Sequence, residues 1–206
     1  MPYLVMDLEM SGPEPGWNEI IQIGAVLLDD NWKTMGTYLT NVYPENKEAF
    51  SIPSEEVHGL TLDELEDAPM IYDVLPEFEN WMRKLLGRKL MKESDAISPN
   101  NLKDIVICGQ SIINDINFLR FAYKDEHLEW PFSYKQMELF TISMLFSQIY
   151  EINKKPFPKK LSLTSIAGFF GLERESDTHN ALEDSELTAH CFRAYFDILK
   201  KLKIQD

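Results

Sequence analysis

The sequence predicts an α/β fold in which helices cover both faces of a β-sheet. Two observations support this prediction: apolar, β-branched runs fill the first part of the chain, and helical and strand patterns alternate after them. With 206 residues, of which 44% are hydrophobic, the chain is long enough to bury a core. We therefore assign residues 1–206 to one domain.

The first three predicted strands are nearly continuous apolar runs over residues 3–9, 19–29 and 34–43. Such runs are typical of strands that are covered on both faces. A fourth, short strand is predicted over residues 105–109. Residues 137–142 favour a fifth strand that runs directly into a helix.

Apolar residues at helical spacing predict the helices, and glycines mark two of their ends. Gly87 has the position of a C-cap glycine, and Gly171 ends a short helix. Asn180 and Glu183 have the spacing of a capping box. The predicted helices cover residues 69–86, 114–123, a segment ending at 150, 162–170 and 180–202, and residues 88–104 and 153–160 are expected to be loops.

Composition excludes several classes of protein. No apolar run approaches the roughly 20 residues that span a bilayer, and the first residues lack a basic flank and an apolar signal segment. Cys108 and Cys191 form no disulfide framework, so we expect a cytoplasmic protein without membrane association. A net charge of −14 is unfavourable for binding a long stretch of nucleic acid, because such binding requires lysines and arginines that neutralise the phosphates. If the protein binds nucleic acid, we expect a short piece, with bound metal supplying positive charge.

Asp7 and Glu9 come at the end of the first apolar strand. Residues i and i+2 of a strand point to the same face, so the two carboxylates lie side by side next to the core. Such a pair costs several kcal/mol unless something neutralises it. The alternative is that the strand ends at Met6 and that both acids are solvated.

Asp115, His179 and Asp184 are three further candidates near helix starts. Acids are common in the first turn of any helix, and an isolated histidine is usually structural, so each has an ordinary explanation. Together with Asp7 and Glu9, however, they all follow strands or open helices, where open α/β sheets place their sites. Four carboxylates would be neutralised by two divalent cations, Mg²⁺ or Mn²⁺. Two such ions can cleave a phosphodiester, with His179 as the general base.

Three segments resemble the motifs of one enzyme family. Residues 6–12 (MDLEMSG) with 20–26 (IIQIGAV), residues 109–119 (GQSIINDINFL) and residues 179–184 (HNALED) are similar to the three motifs of DnaQ-like 3′→5′ exonucleases, in the DEDDh branch. Residues 57–61 (VHGLT) also resemble a segment of bacterial proofreading subunits.

The resemblance implies a ribonuclease H-like mixed sheet and hydrolysis of single-stranded DNA or RNA from the 3′ end to nucleoside monophosphates. It makes Asp7, Glu9, Asp115 and Asp184 ligands of two divalent cations and His179 the base. It also implies that Met10, Val57 and His58 contact the terminal nucleotide, although His58 has the alternative role of a turn residue before Gly59.

The resemblance leaves the substrate open between DNA, slightly favoured, and short RNA. Asn114 replaces the aromatic residue that DNA-proofreading members usually have before the aspartate, and Gln110 and Ser111 are closer to oligoribonucleases. Residues 57–61 favour the proofreading type. The oligomeric state, and the choice between repair, proofreading and RNA turnover, also stay open.

Two other functions are weighed against the exonuclease: an accessory module that binds a polymerase, and an endonuclease that cuts RNA–DNA hybrids. The spacing of His179 and Asp184 favours the exonuclease. Lys154, Lys155, Lys159 and Lys160 are the main concentration of positive charge. We expect this loop either to meet the phosphates of the entering strand or to be solvated.

Overall fold

The protein is described from a computed structural model, in which residues 1–91, 101–174 and 178–202 are placed. Their strands are β1 (Tyr3–Met10), β2 (Ile20–Leu28), β3 (Thr34–Asn41), β4 (Val106–Gly109) and β5 (Gln136–Glu138). They form one sheet in the order β3-β2-β1-β4-β5. The pairs β3-β2 and β2-β1 are antiparallel, whereas β1-β4 and β4-β5 are parallel. The sheet is therefore mixed, as predicted.

Helices connect the strands and follow the last of them. Within the described residues they are α1 (Ile52–His58), α2 (Leu62–Leu65), α3 (Ile71–Leu85), α4 (Ile113–Asp125), α5 (Leu139–Ile152), α6 (Leu163–Phe169) and α7 (Ala181–Leu199). The sequence predicted α3 to α7, and the ends that it specified for these helices differ by up to three residues. The predicted fifth strand over residues 137–142 is wrong beyond Glu138, because the carboxylate of Glu138 caps α5 and residues 139–142 form the first turn of that helix. None of these helices is long and apolar enough to cross a membrane.

The two faces of the sheet are covered by different helices. Leu4, Met6 and Leu8 of β1 belong to a core that also contains buried residues of α3 and α4. Val5 belongs to a second core, with buried residues of α5, α6 and α7. Because side chains alternate along a strand, Asp7 and Glu9 lie on the face that α7 covers. Helices on both faces confirm the predicted fold class.

The prediction that all three first strands are covered on both faces is wrong for β3. All nine residues of β2 are buried, because it lies inside the sheet and contributes side chains to the cores on both faces. Strand β3 is at the edge of the sheet and has a neighbour on one side, and Tyr38 is its buried residue. The apolar run over residues 34–43 therefore predicted correctly that β3 is a strand, but it did not show how far the strand is buried.

The segment between β3 and α3 contains structure that the sequence analysis missed. Helices α1 and α2 are short and have mostly partly exposed residues, so no long apolar stripe marks them. Local hydrogen bonds hold α2 instead: Glu64 N–H donates to the Thr61 hydroxyl, and the Glu64 carboxylate accepts from Thr61 N–H.

Several local predictions are confirmed. Gly87 and Gly171 have φ angles of +64° and +73° just after α3 and α6. Of the predicted capping box, the Asn180 half is confirmed, because its side-chain oxygen accepts from two backbone N–H groups at the start of α7. Cys108 and Cys191 are buried, free thiols. Residues 92–100 of the predicted connecting loop lie outside the described residues.

Candidate active site

The C-terminal half of β1 carries the first two candidate residues. Asp7 pairs with Gly24 of β2, and Glu9 pairs with Gln22. Glu9 is 7% exposed, and burial, which is the largest cause, raises the pKa of its carboxyl group to about 7. Burial also raises the pKa of Asp7 well above its usual range, and the nearby carboxylates of Asp115 and Glu9 raise it further. The site therefore holds acids that resist ionisation without a nearby cation.

Asp115 reaches β1 from the first turn of α4. Its Oδ1 atom accepts a hydrogen bond from the backbone N–H of Leu8, at 2.9 Å, and the residue is buried. Burial raises the pKa of Asp115 to about 7, although the hydrogen bonds from its own backbone and from Leu8 oppose the increase. This bond fixes Asp115 against the backbone between Asp7 and Glu9.

The start of α7 brings Asp184 to the same place, because the helix lies very close to β2. The side-chain oxygen of Gln22 accepts from Ala181 N–H at 2.9 Å, and the Ser185 hydroxyl donates to the Gly24 carbonyl at 3.0 Å. A Cβ atom on Gly24 would lie 2.0 Å from the backbone of Ala181, so no larger residue fits. Gly24 thus permits the close approach of α7 to the strand that pairs with Asp7.

Asp184 has two basic partners. The Nδ1 atom of His179 lies 3.2 Å from its Oδ2 atom, and the hydrogen bond with Asp184 raises the pKa of His179. The Nη2 atom of Arg174 lies 2.6 Å from Oδ1 and 2.8 Å from Oδ2. Asp184 is buried, whereas the His179 side chain is 41% exposed. The imidazole therefore faces both the carboxylates and solvent.

All five predicted residues surround one open cleft of about 460 Å³, a volume within the usual range of ligand sites. These residues are Asp7, Glu9, Asp115, His179 and Asp184. The structure thus brings together side chains that lie up to 177 positions apart, as Asp7 and Asp184 do.

The chemistry of the cleft fits divalent cations. One ligand atom each from Glu9, His179 and Asp184 lies within 4.8 Å of the other two. The Oε1 atom of Glu9 is buried and has no hydrogen-bond partner among the described residues. Carboxylate oxygens are the ligands that Mg²⁺ and Mn²⁺ prefer, and a buried oxygen without a partner is costly unless a cation contacts it.

A second cavity, of about 490 Å³, adjoins the cleft and shares Leu8, Glu9 and Met10 with it. Val57 and His58 line its other side. All three residues predicted to contact the terminal nucleotide therefore surround one space beside the carboxylates.

His58 also has the turn role that the sequence offered as its alternative. It ends α1 immediately before Gly59, which has a φ angle of +72°, and its Nδ1 atom accepts from Leu60 N–H at 3.0 Å. Burial, and then His179, lower the pKa of His58. Its Nε2 atom is buried and has no hydrogen-bond partner among the described residues, and the residue lines the second cavity.

The sequence analysis missed Arg174, which lines the cleft and contacts Asp184. A signal existed: Arg174 is the sole lysine or arginine between Lys160 and Arg193. It is hidden between two glutamates, five residues before His179. The cleft also has a polar wall, of which the sequence linked Gln110, Ser111 and Asn114 to the choice of substrate and gave no role to Ser162 and Thr164.

The family model RNase_T, described as "Exonuclease", matches residues 4–192. The chain belongs to this exonuclease family. The match covers all three motifs noted above, and it confirms the predicted resemblance to DnaQ-like 3′→5′ exonucleases of the DEDDh type.

Curated relatives of this exonuclease chain are longer proteins. A DNA polymerase III of the PolC type from Thermotoga petrophila is 28% identical over 203 residues, which are 98% of this chain and 12% of the relative. The 3′-5′ exonuclease DinG of Staphylococcus saprophyticus is 23% identical over 204 residues, which are 98% of this chain and 19% of the relative. The chain thus spans less than a fifth of each of these two proteins.

Solved structures confirm the ribonuclease H-like fold. The nuclease domain of 3′hExo, a DEDDh family member bound to rAMP, has a TM-score of 0.70 and 21% identity, and the match covers 100% of this chain and 96% of that one. E. coli ExoI, in a zinc-bound complex with single-stranded DNA, has a TM-score of 0.73 and 15% identity. That match covers 97% of this chain and 43% of ExoI.

Proposed function

We propose that the chain hydrolyses single-stranded nucleic acid from its 3′ end and releases nucleoside monophosphates. The observation that carries the proposal is the meeting of four carboxylates and one imidazole in a single open cleft, in a chain of the exonuclease family. The complexes of 3′hExo with rAMP and of ExoI with single-stranded DNA support it by analogy of fold.

Members of this family use divalent metal ions, and we assign two of them, Mg²⁺ or Mn²⁺, to the carboxylates of this chain. Asp7, Glu9, Asp115 and Asp184 would hold them. When bound, the ions supply positive charge that activates a water molecule and stabilises the leaving oxygen. The raised pKa values of Asp7, Glu9 and Asp115 support this role, since the carboxylates need cations to be ionised together.

His179 accepts the proton of the attacking water in the proposed reaction. Its Nδ1 atom faces Asp184, so Nδ1–H donates to that carboxylate and Nε2 is the nitrogen available as a base. The water oxygen forms a bond to phosphorus and the bond to the 3′ oxygen breaks. The leaving oxygen takes a proton from solvent, and Asp184 orients the imidazole throughout.

The terminal nucleotide would occupy the cavity beside the carboxylates. Met10 and Val57 offer apolar surface to the base or sugar, and the buried Nε2 atom of His58 offers a hydrogen bond. The cleft and this cavity share Glu9, so the phosphate that follows the nucleotide would lie next to the carboxylates.

We favour DNA slightly over short RNA as the substrate. The DNA polymerase relative supports DNA, whereas Gln110 and Ser111 in the cleft wall resemble oligoribonucleases and Asn114 replaces the aromatic residue of DNA-proofreading members. Turnover of matched DNA and RNA oligomers of decreasing length decides between them. Faster turnover of RNA at every length would reverse this preference.

The activity is tested with single-stranded DNA and RNA that carry a 5′ label, in the presence of Mg²⁺ or Mn²⁺. We expect a ladder of products that shortens from the 3′ end, and we expect Asp7→Ala to abolish it. Asp30→Ala, which removes an exposed acid in the turn after β2, is the matched control and should retain activity. Cleavage of circular strands would indicate an endonuclease, and no cleavage of either polymer would refute the proposal.

A polymerase is a further candidate partner, because nearly the whole of this chain matches one segment of a PolC-type DNA polymerase. Size-exclusion chromatography with a purified replicative polymerase tests this, and separate elution at micromolar concentration would contradict it. Cytoplasmic location stays a prediction, which the buried, free thiols of Cys108 and Cys191 suit.

A further inference from the structure

The loop between α5 and α6 concentrates positive charge on an acidic protein. We call residues 154–160 the basic loop; it contains four of the 20 lysines and arginines of a chain with a net charge of −14. The four lysine side chains are exposed, and none forms an ion pair with another residue in the described parts of the chain. Their ammonium groups are therefore available to a partner.

The backbone of the basic loop is fixed although its lysine side chains are free. The ring of Phe157 packs against those of Tyr150 and Phe169, with centroid distances of 5.1 and 5.0 Å. At the start of the loop, Lys154 N–H donates to the carbonyl of Glu151 at 2.9 Å, and Lys155 N–H donates to the carbonyl of Tyr150 at the same distance. A pair of lysines is thus held on either side of an anchored aromatic ring.

The end of the basic loop joins the rim of the candidate active site. The side chain of Gln110, which lines the cleft, donates to the carbonyl of Leu161 at 3.1 Å. Lys160 immediately precedes Leu161, and Ser162 and Thr164 line the cleft. Lys160 is therefore two residues from the polar wall in sequence, and it does not line the cleft together with the carboxylates.

We propose that the basic loop binds the phosphates of the substrate strand upstream of its 3′-terminal nucleotide. This inference rests on the proposed function and adds to it the way in which the strand is held. The cleft is lined by four carboxylates, and the guanidinium of Arg174 in its described wall is already engaged with Asp184. A polyanionic strand needs positive charge elsewhere, and the adjacent lysines supply it. Lys159 and Lys160 are nearest in sequence to the cleft residues Ser162 and Thr164, so we expect them to contact the strand before Lys154 and Lys155.

The test compares two substrates and two double variants. The substrates are a single strand of about 12 nucleotides and the p-nitrophenyl ester of thymidine 5′-monophosphate, which has no upstream phosphate. The variant Lys159→Gln/Lys160→Gln removes two charges from the basic loop. The control, Lys33→Gln/Lys124→Gln, removes two exposed charges from the turn before β3 and the end of α4, and neither lysine lines the cleft.

For the long strand, we plot log kcat/KM against log salt concentration. We expect the slope for the loop variant to be less steep by about 1.4, which is about 0.7 for each lost phosphate contact. When the salt concentration rises from about 50 to about 200 mM, kcat/KM of the loop variant should therefore fall about sevenfold less than kcat/KM of the unaltered protein. Hydrolysis of the ester should stay unchanged in both variants, and the control should keep the original salt dependence.

An unchanged salt dependence in the loop variant would overturn the inference, as would an equal loss of activity on the ester and the long strand. Both results leave the exonuclease proposal intact. If the unaltered protein hydrolyses neither substrate, the exonuclease proposal itself fails, and the role of the basic loop fails with it. Thermal unfolding of each variant shows whether a loss of activity comes from misfolding, which we do not expect for exposed lysines without ion pairs.

Discussion

The guanidinium of Arg174 lies against the carboxylate of Asp184, with its Nη2 atom 2.6 Å from Oδ1 and 2.8 Å from Oδ2. The Arg174 side chain is 14% exposed and that of Asp184 5%, so the pair is largely shielded from water. The positive charge of Arg174 thus lies against both oxygens of Asp184, the carboxylate that we propose as a metal ligand. Arg174 and a divalent cation would compete for Asp184.

Replacing Arg174 with glutamine should therefore strengthen metal binding while weakening the metal-free protein. We expect the affinity for Mn²⁺ to rise about tenfold, because the competing charge is gone. The free energy of unfolding without metal should fall by about 3 kcal/mol, since a buried carboxylate loses its partner. Calorimetric titration with Mn²⁺ and denaturant unfolding in chelator measure the two effects.

Arg120→Gln is the matched control, because it removes the same charge from an exposed position on α4, where the guanidinium lies 5.0 Å from the ring of Trp130. Its Mn²⁺ affinity should stay within a factor of about two of the original. Weaker metal binding by Arg174→Gln would show the opposite relationship, in which Arg174 positions Asp184 for the cation.

His179 lies close enough to Glu9 and Asp184 to be a metal ligand, although we assign it the role of base. The two roles predict different results for His179→Asn. A lost base should lower kcat by about 10² to 10⁴-fold and leave the Mn²⁺ affinity nearly unchanged. Asp184→Asn should lower both. If His179→Asn weakens Mn²⁺ binding as much as Asp184→Asn does, the imidazole is a ligand instead.

Much of the fold could be predicted from the sequence because the local signals were strong. Strand β2 has nine buried residues, all of them apolar or glycine except Gln22, and α7 has both a capping residue and an apolar stripe. Helix α1 could not be predicted in the same way. It is short, and its exposed residues include Ile52 and Val57. Its partner is also distant in sequence, since His179 N–H donates to the carbonyl of Val57 at 3.0 Å.

The candidate site was predictable where residue spacing determines geometry. Asp7 and Glu9 are two positions apart on a strand, so their shared face follows from the pleat. The contact between Asp115 and the Leu8 backbone depends on the parallel pairing of β1 and β4, which places the start of α4 beside the end of β1. Arg174 lies in a loop, and nothing in its spacing specifies which way a loop side chain turns.

The stability of the metal-free protein should fall as the pH rises. Burial raises the pKa of Glu9 to about 7 from its ordinary 4.5, so between these values the folded state binds more protons than the unfolded state. The raised pKa values of Asp115, Asp7 and His179 act in the same direction. Between pH 5 and pH 8, the ionisation of Glu9 alone should lower the free energy of unfolding by on the order of 3 kcal/mol.

Denaturant unfolding in chelator across this pH range measures the loss, and the same series with saturating Mn²⁺ is the comparison. Metal binding should remove most of the decrease, because the cations neutralise the ionised carboxylates. Glu9→Gln should also flatten the metal-free profile, since its side chain does not ionise. Stability that rises between pH 5 and pH 8 without metal would contradict the proposed crowding of carboxylates.

Gly24 links the packing of the sheet to the geometry of the site. It pairs with Asp7 in the sheet, and its carbonyl accepts from the hydroxyl of Ser185, next to Asp184. A methyl group at Gly24 would lie 2.0 Å from the backbone of Ala181 and 2.2 Å from that of Leu182, a separation that atoms do not tolerate. Helix α7 would have to move away from β2, and it would carry Asp184 with it.

Gly24→Ala should therefore lower stability, Mn²⁺ affinity and exonuclease activity together. Overpacking of this kind costs about 1–3 kcal/mol, and a displacement of about 1 Å at the site can cost about 100-fold in rate. Gly168→Ala is the matched control, because a Cβ atom at Gly168 in α6 meets nothing within 4 Å. That change should preserve activity and stabilise the helix by about 0.5–1 kcal/mol. Full activity and metal affinity in Gly24→Ala, measured beside this control, would show that the close approach of α7 to β2 does not position Asp184.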